Sequence, residues 1–354
     1  MKILLISNLY PSKEHPFFGT FVKNFKEQLK RKGFKFKLAV IKGKGNTKLE
    51  KILKYISFFK DIFRAIKKND YDLIYVHYIS HSLLPLVVLK KYINKPLIIN
   101  AHGSDVLVKN KIAKMIQKLV TPIIKRADLV VVPSSYFKNI VVNKFLIDPD
   151  KVFISASGGV DTTLFRPLQT DKKVFTIGYV SRIEDGKGWD IFLEAISLLK
   201  NKNIQVIIIG GGSQEKLLLS KIIDLKLENK VKYLGVKSHN ELPQYFNQMN
   251  LFAFTTKLPE SLGLVGIEAM ACGVPVIGSK VGGLQSYIKS GVNGELFEID
   301  NVGELSEKIE YFIKLDNESL KDYSDKAILT AKKYDSKIEA EKLTIKIKEM
   351  IGKI

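Results

Sequence analysis

The sequence predicts an α/β protein made of two doubly wound, Rossmann-like domains, and three observations carry this. Apolar runs of strand length alternate with amphipathic stretches of helix length along the whole 354-residue chain. That length exceeds one typical domain and suits two cores of about 170 residues each. The glycine-rich and charged motifs fall just after apolar runs, at the strand ends where open parallel sheets gather ligands.

In the first half, strands are expected at residues 3–7, 35–41, 73–77, 97–101, 129–132 and 152–155, with helices between them. In the second they are expected at 175–180, 205–210, 231–234, 251–255 and 275–277. Residues 1–6 are too few for the apolar core of a secretion signal and read as a buried strand; no apolar run reaches the 18 residues of a membrane span. The passage between domains falls within 157–170, which contains Gly158-Gly159-Val160-Asp161 and Phe165-Arg166-Pro167. Domains of 1–165 and 166–334 are expected, with Lys- and Glu-rich helices after Asp316 and a closing helix at 335–354. The single cysteine, Cys272, excludes an internal disulfide, fits a reducing cytoplasm, and reads as a small core residue.

Net charge is +21, of which +19 falls on residues 1–165. A solubility device has no need to be so lopsided, whereas attraction to an anionic surface does. Residues 42–69 set Leu49, Ile52, Leu53, Ile56, Phe59, Ile62, Phe63 and Ile66 at helical spacing among lysines, and residues 109–126 are similar. Two readings stand: a core-facing helix with a solvated lysine face, or a basic amphipathic helix lying on anionic lipid. Nucleic acid is not expected as a partner, since no recognition module or aromatic-basic RNA signature is present.

Residues 258–278, LPESLGLVGIEAMACGVPVIG, hold two carboxylates eight positions apart. Pro259, Ser261 and Gly263 put Glu260 in a loop, while residues 264–272 are apolar on nearly every face, which a helix tolerates only when buried. Glu268 therefore sits inside a buried helix. No Lys or Arg lies within two turns, so its partner comes from elsewhere in the fold or from a ligand. The helix start at Gly263-Leu264-Val265 offers unpaired amides and a positive dipole end to an anion. Acids beside an anion site suit a ligand with both hydroxyls and phosphates.

This phrase resembles the E-x7-E signature of the retaining glycosyltransferases of family 4, with E-[SG]-[FL]-G before the helix and E-A-M-A-x-G-x-P-V after it; Gly282-Gly283 also match. The resemblance implies the GT-B architecture, two Rossmann-like domains facing across a cleft. It implies Glu260 near a donor sugar, Glu268 on ribose hydroxyls, and Leu262, Gly263, Leu264 and Val265 on a diphosphate. Leu262 stands where the family often has Phe. The family's hinge phrase N-G-V-D…F-x-P is matched with Gly158 in place of Asn, and the last helix is implied to cross back to the first domain.

Other motifs extend the resemblance. Arg182 and Lys187, in a glycine-rich turn after the strand at 175–180, are cations suited to a departing diphosphate. The family's G-R-x-x-x-x-K-G is matched closely, with Ser181 in place of the first Gly. Gly210-Gly211-Gly212-Ser213 fails the dinucleotide fingerprint because Glu215 stands at the third glycine position, and Ser213 reads as a helix cap. The resemblance puts Gly210 near the nucleotide, and Val236 and Lys237 near the base. In Asn100-Ala101-His102-Gly103-Ser104-Asp105, the family's H-G-x-D implies that His102 lies over the donor sugar; Asp105 caps the following helix or orients His102. Phe17-Phe18-Gly19-Thr20 occupies the first strand-to-helix turn, where Gly19 lets backbone amides approach a diphosphate or acceptor. Glu14, His15, His77, His81 and Asp105 are acceptor-site candidates. Asp148-Pro149-Asp150 matches a metal-binding D-x-D only formally, because it precedes a strand and reads as a turn. The five histidines and one cysteine show no zinc spacing, so catalysis without an essential metal or other cofactor is expected.

The expected function is that of a retaining, metal-independent glycosyltransferase. It would move a hexosyl group from a nucleotide-diphosphate sugar, a UDP-sugar before a GDP-sugar, to a hydroxyl of a glycan or lipid-linked acceptor in cell-surface polysaccharide or glycolipid synthesis. The expected setting is cytoplasmic, peripheral on the inner face of the plasma membrane. The alternatives are a nucleotide-sugar epimerase or hydrolase of the same architecture, and a nucleotide-binding protein without chemistry.

Overall fold

The computed structural model describes residues 1–352 apart from Phe17, Asp171, Asn201 and Lys202, so the Phe17 part of the first turn motif lies outside the described residues. The chain forms two compact units, Met1–Gly159 together with the closing helix, and Val160–Asp335.

The first unit runs β1 (Lys2–Tyr10), α1 (Thr20–Arg31), β2 (Lys35–Lys42), α2 (Lys48–Lys68), β3 (Leu73–His77), α3 (Leu84–Val88), β4 (Leu97–Asn100), α4 (Lys111–Arg126), β5 (Leu129–Val132), α5 (Ser135–Phe145) and β6 (Val152–Ile154). Its six-stranded sheet has the order β2-β1-β3-β4-β5-β6, and the paired strands are parallel. A parallel sheet is covered on both faces, which is why its strands are nearly continuous apolar runs such as Ile3-Leu4-Leu5-Ile6. Leu4, Ile6, Ile74 and Val76 join one core with α2, α3, α4 and α5; Ile3, Leu5, Leu73 and Tyr75 join another with α1 and the closing helix. Helix starts follow side-chain caps: Thr47, Asn110 and Ser134 each accept a first-turn amide.

The second unit runs β7 (Phe175–Val180), α6 (Trp189–Ser197), β8 (Ile204–Ile209), α7 (Glu215–Asp224), β9 (Val231–Tyr233), α8 (Leu242–Phe246), β10 (Leu251–Phe254), α9 (Leu264–Ala271), β11 (Val276–Ser279), β12 (Gly294–Phe297), α10 (Val302–Lys314) and α11 (Asn317–Lys332). Its sheet order is β12-β11-β10-β7-β8-β9, again with parallel pairs. Residues 294–297, Gly-Glu-Leu-Phe, add an edge strand that the apolar pattern does not announce. The closing helix α12 (Ser336–Gly352) packs Leu343 and Ile347 against the first unit's sheet. Its buried Glu339 accepts the Ala156 amide at 2.8 Å and the Ser155 hydroxyl at 3.2 Å.

Candidate active site

In the second unit β7 and β10 are neighbours from which the strand order runs outward in opposite directions, the arrangement that opens a crevice at the carboxyl ends of an α/β sheet. A cavity of about 450 Å³ lies there, the size of a small-molecule site. Its walls are Ser181, Arg182 and Lys187 after β7, Gly210 and Gly211 after β8, and Val236 and Lys237 after β9. Glu260, Gly263, and Leu264, Val265 and Glu268 of α9 close it. Residues far apart in sequence, singled out by separate motifs, thus share one cavity. Leu262 departs from them: its side chain is buried and does not line the cavity.

Lys187 Nζ lies 2.6 Å from Glu260 Oε1, and both side chains are mostly buried. The Thr256 hydroxyl donates to the same oxygen at 3.3 Å, and the Gly283 amide donates to the Glu260 carbonyl at 2.8 Å. The glycine pair after β11 therefore fixes the Glu260 loop from behind. Arg182 is largely exposed, with its guanidinium 3.3 Å from Glu184. Gly210 has φ +140°, and a Cβ there would stand 1.7 Å from the Ser181 carbonyl oxygen, so the two strand-end turns can touch only through a glycine. Ser213 does not cap α7; Glu215 reaches back to accept the Gly212 amide at 2.8 Å.

Gly263 caps α9 in the left-handed region, φ +82°, and a Cβ there would meet Phe254 and Leu284 at 2.7 Å. The Tyr287 hydroxyl donates to its carbonyl at 3.1 Å. Leu264 and Val265 of the first turn of α9 line the cavity, and the unpaired amides of a helix start suit an anion. Glu268, 8% exposed, receives its partner from another loop: His239 Nε2 lies 2.8 Å from Oε1. The ring of His239 is seated edge-on against Phe165, with centroids 4.9 Å apart. Its hydrogen bond to Glu268 raises the His239 pKa, an effect that partial burial opposes.

At the corresponding place in the first unit, the strand ends of β1, β3 and β4, the rings of His102 and His77 stack, with His102 Nε2 2.9 Å from His77 Nδ1. Tyr78 also stacks on the His102 ring, with centroids 4.7 Å apart, and Phe21 of α1 lies at the same centroid distance from it. This enclosure keeps both imidazoles neutral: burial lowers His102 to about 3 and His77 well below its ordinary value. Tyr78 holds φ +71°, an uncommon backbone for a bulky residue, while its amide donates to the Asn100 carbonyl at 3.0 Å. Asp105 does not cap α4, which Asn110 caps. Its Oδ1 accepts the His102 and Gly103 amides at 2.9 Å and its Oδ2 the Ile79 amide at 2.8 Å, so it braces the His102 loop against the end of β3. Burial raises its pKa and those amides oppose the rise. Gly19 caps α1 at φ +73°, pressed on the end of β1. Glu14 and His15 lie in the loop before it: the exposed Glu14 carboxylate accepts from the Ser12 hydroxyl, and the His15 amide donates to that hydroxyl. His81 sits apart, its ring against Tyr55.

The basic helices resolve differently from an ordinary core-facing pattern. Phe58, Ile62, Ala65 and Ile66 of α2 are buried, but Leu49, Ile52, Leu53, Ile56 and Phe63 stand exposed on the opposite side. On α4, Ile112, Met115 and Leu119 are likewise exposed. No helix among the described residues is long and apolar enough to cross a membrane.

Comparison with known proteins adds a consistent result. Residues 160–330 match the model of the glycosyl transferases group 1, and residues 19–164 match that of glycosyltransferase family 4. The chain belongs to the family 4 glycosyltransferases. The D-inositol 3-phosphate glycosyltransferase of Mycobacterium tuberculosis is 30% identical over 209 residues, 54% of this chain and 42% of that protein's length. The match thus spans less than half the length of that curated relative. A glycosyltransferase from Rickettsia africae superposes with TM-score 0.82 at 21% identity over 99% of this chain and 98% of that one. Sucrose-phosphate synthase from Thermosynechococcus elongatus gives 0.81 at 18% identity over the full length of both chains. HepE from Anabaena, solved in complex with UDP, gives 0.78 at 22% identity over 99% of this chain and 100% of that one. These likenesses, with two six-stranded parallel sheets, give the chain the two-domain Rossmann-like GT-B fold.

Three residues of the two strand-end clusters carry no signal in the sequence. His239 is a loop residue with no motif of its own, although the missing partner of Glu268 was a reason to look for one. Phe21 and Tyr78, the ring partners of His102, carry no pattern beyond their places next to Gly19 and His77.

Proposed function

We propose that this glycosyltransferase moves a sugar from a nucleotide diphosphate to a hydroxyl of a glycan or lipid-linked acceptor, with retention at the anomeric carbon and without an essential metal. The observation that carries the reading is the switch-point cavity lined in common by Arg182, Lys187, Glu260, Glu268 and the first-turn residues of α9. Cations and helix amides suit a diphosphate whose charge grows as it leaves, the buried carboxylate of Glu268 suits ribose hydroxyls, and Glu260 beside Lys187 suits the sugar. Gly210 and the Val236–Lys237 loop supply the base side of the cavity. His102, through the family resemblance, is assigned a hydroxyl of the sugar, with Asp105 holding its loop. The acceptor hydroxyl attacks from the side the diphosphate leaves, a phosphate oxygen takes its proton, and the C–O bond to the acceptor forms as the bond to the diphosphate breaks. A UDP-sugar is the first donor to test, since the UDP complexes of HepE belong to a protein of similar fold.

The test is thermal stabilisation of the whole chain by UDP, GDP and ADP, with magnesium and with chelator. A shift with one nucleotide that survives chelation supports the donor site. No shift with any of them overturns the donor site, and a shift abolished by chelator overturns the metal-free reading. Products from the matching nucleotide sugar, with acceptor present or absent, separate transfer from epimerisation or hydrolysis.

A second reading has its own observation, the apolar stripe exposed on the basic helix α2. With +19 of the charge on residues 1–165, that face fits an anionic bilayer, which would bring the enzyme to a lipid-linked acceptor at the cytoplasmic surface.

A further inference from the structure

Glu268 lines the cavity through an otherwise apolar helix, and only Oε1 has a protein partner among the described residues, His239. Oε2 is left for a ligand. His239 itself does not line the cavity. It sits behind the carboxylate on the loop that carries Val236 and Lys237, so one hydrogen bond ties the base-side wall to α9. Its ring is steadied by Phe165, and the neighbouring Ser238 is locked to Glu241 by amide and hydroxyl bonds of 2.9 and 2.6 Å.

We propose that His239 is a positioning residue: it holds the Glu268 carboxylate in the orientation that receives ribose hydroxyls, and its protonation makes nucleotide affinity depend on pH. The inference rests on the reading of Glu268 as the ribose ligand. The groups around the pair are few. Glu268 faces His239 from α9 and Asp161 from the segment entering the unit, and both favour its charged form; Lys237 and Glu241 stand on its own loop. On the other side Glu268 faces Cys272 and Tyr287; burial pushes the first up to about 12 and the second well above its ordinary value, so both stay neutral. Of these groups, His239 is the one that changes charge through the neutral range. A charge-assisted hydrogen bond is roughly twice as strong as a neutral one, so loss of the imidazolium proton loosens the carboxylate without freeing it.

The experiment is calorimetric titration of UDP, GDP and ADP into the full chain at acid, neutral and mildly alkaline pH, for wild type, His239→Ala, His239→Gln and Glu268→Ala. Wild-type affinity for the bound nucleotide is expected to fall about fivefold as His239 deprotonates. His239→Ala should bind more weakly throughout, with that pH dependence gone. His239→Gln, whose amide can still donate, should recover most of the alkaline wild-type affinity and also be flat with pH. A purely structural role for His239 would not yield that rescue without the slope. If Glu268→Ala weakens binding while His239→Ala keeps wild-type affinity and slope, this inference falls and the ribose reading stands. If Glu268→Ala binds like wild type, both fall.

Discussion

Lys187 and Glu260 stand 2.6 Å apart and mostly buried, a setting in which removing one charge is felt strongly by the other. If Lys187 stabilises the departing diphosphate, Lys187→Ala should lower kcat/KM by about 10²–10³, the scale of losing one transition-state donor. Steady-state kinetics beside a melting curve checks this, because a folding defect would lower both together. The histidines of the first unit make a different prediction. His77 and His102 are held neutral, with folded pKa values below the unfolded one, so their contribution to stability is complete above the unfolded pKa of about 6.5 and is lost as pH falls from there towards the folded values. Each can add up to about 1.4 kcal/mol per pH unit to the acid slope, since the unfolded chain takes up the proton first. Urea unfolding between neutral and mildly acid pH should show that slope, and His77→Phe should reduce it. That Arg182, Lys187, Glu260 and Glu268 line one cavity was legible in the sequence, because each sits in a spacing with a chemical reason. The partner of Glu268 was not, since a pair 29 positions apart leaves no local pattern.

Among the elements, the strands read well because parallel strands covered on both faces must be apolar throughout, and β3, β5 and β7 span the residues expected of them. β12 was missed for the converse reason: as an edge strand it pairs only with β11 and keeps Glu295 and Leu296 half-buried. The start of α9 was legible as a glycine turn, but why it must be glycine appears only in three dimensions. At Gly263 an alanine meets a left-handed φ of +82° and two side chains at 2.7 Å. Gly263→Ala should therefore destabilise the protein by about 1–3 kcal/mol. By tilting the first-turn amides, it should also weaken nucleotide binding more than an equally destabilising change far from the cavity. Chemical denaturation and nucleotide titration on the same samples separate the two effects.

Over the whole molecule, charge and apolar exposure coincide in the first unit, and only half of that coincidence was visible beforehand. The sequence puts +19 of +21 charges on residues 1–165 and an apolar period on residues 42–69, but a period cannot say whether one stripe or two run along the helix. In the structure there are two. Phe58 and Ile62 enter the core, while Ile52, Ile56 and Phe63 are exposed by 57%, 46% and 43%. Exposed apolar side chains beside lysines gain most at a surface that is both anionic and apolar just beneath its headgroups. Vesicles containing phosphatidylserine should therefore sediment the protein at low salt, and phosphatidylcholine vesicles should not. Raising the salt from 0.1 to 1 M shortens the screening length from about 10 to about 3 Å and should release most of the bound protein. Ile52→Gln, Ile56→Gln and Phe63→Gln together should weaken binding to the anionic vesicles while leaving the melting temperature within a few degrees, because those side chains already meet water. Equal binding to both kinds of vesicle would remove the electrostatic part of the argument. Unchanged binding by the triple variant would mean that the second stripe of α2 faces something other than lipid.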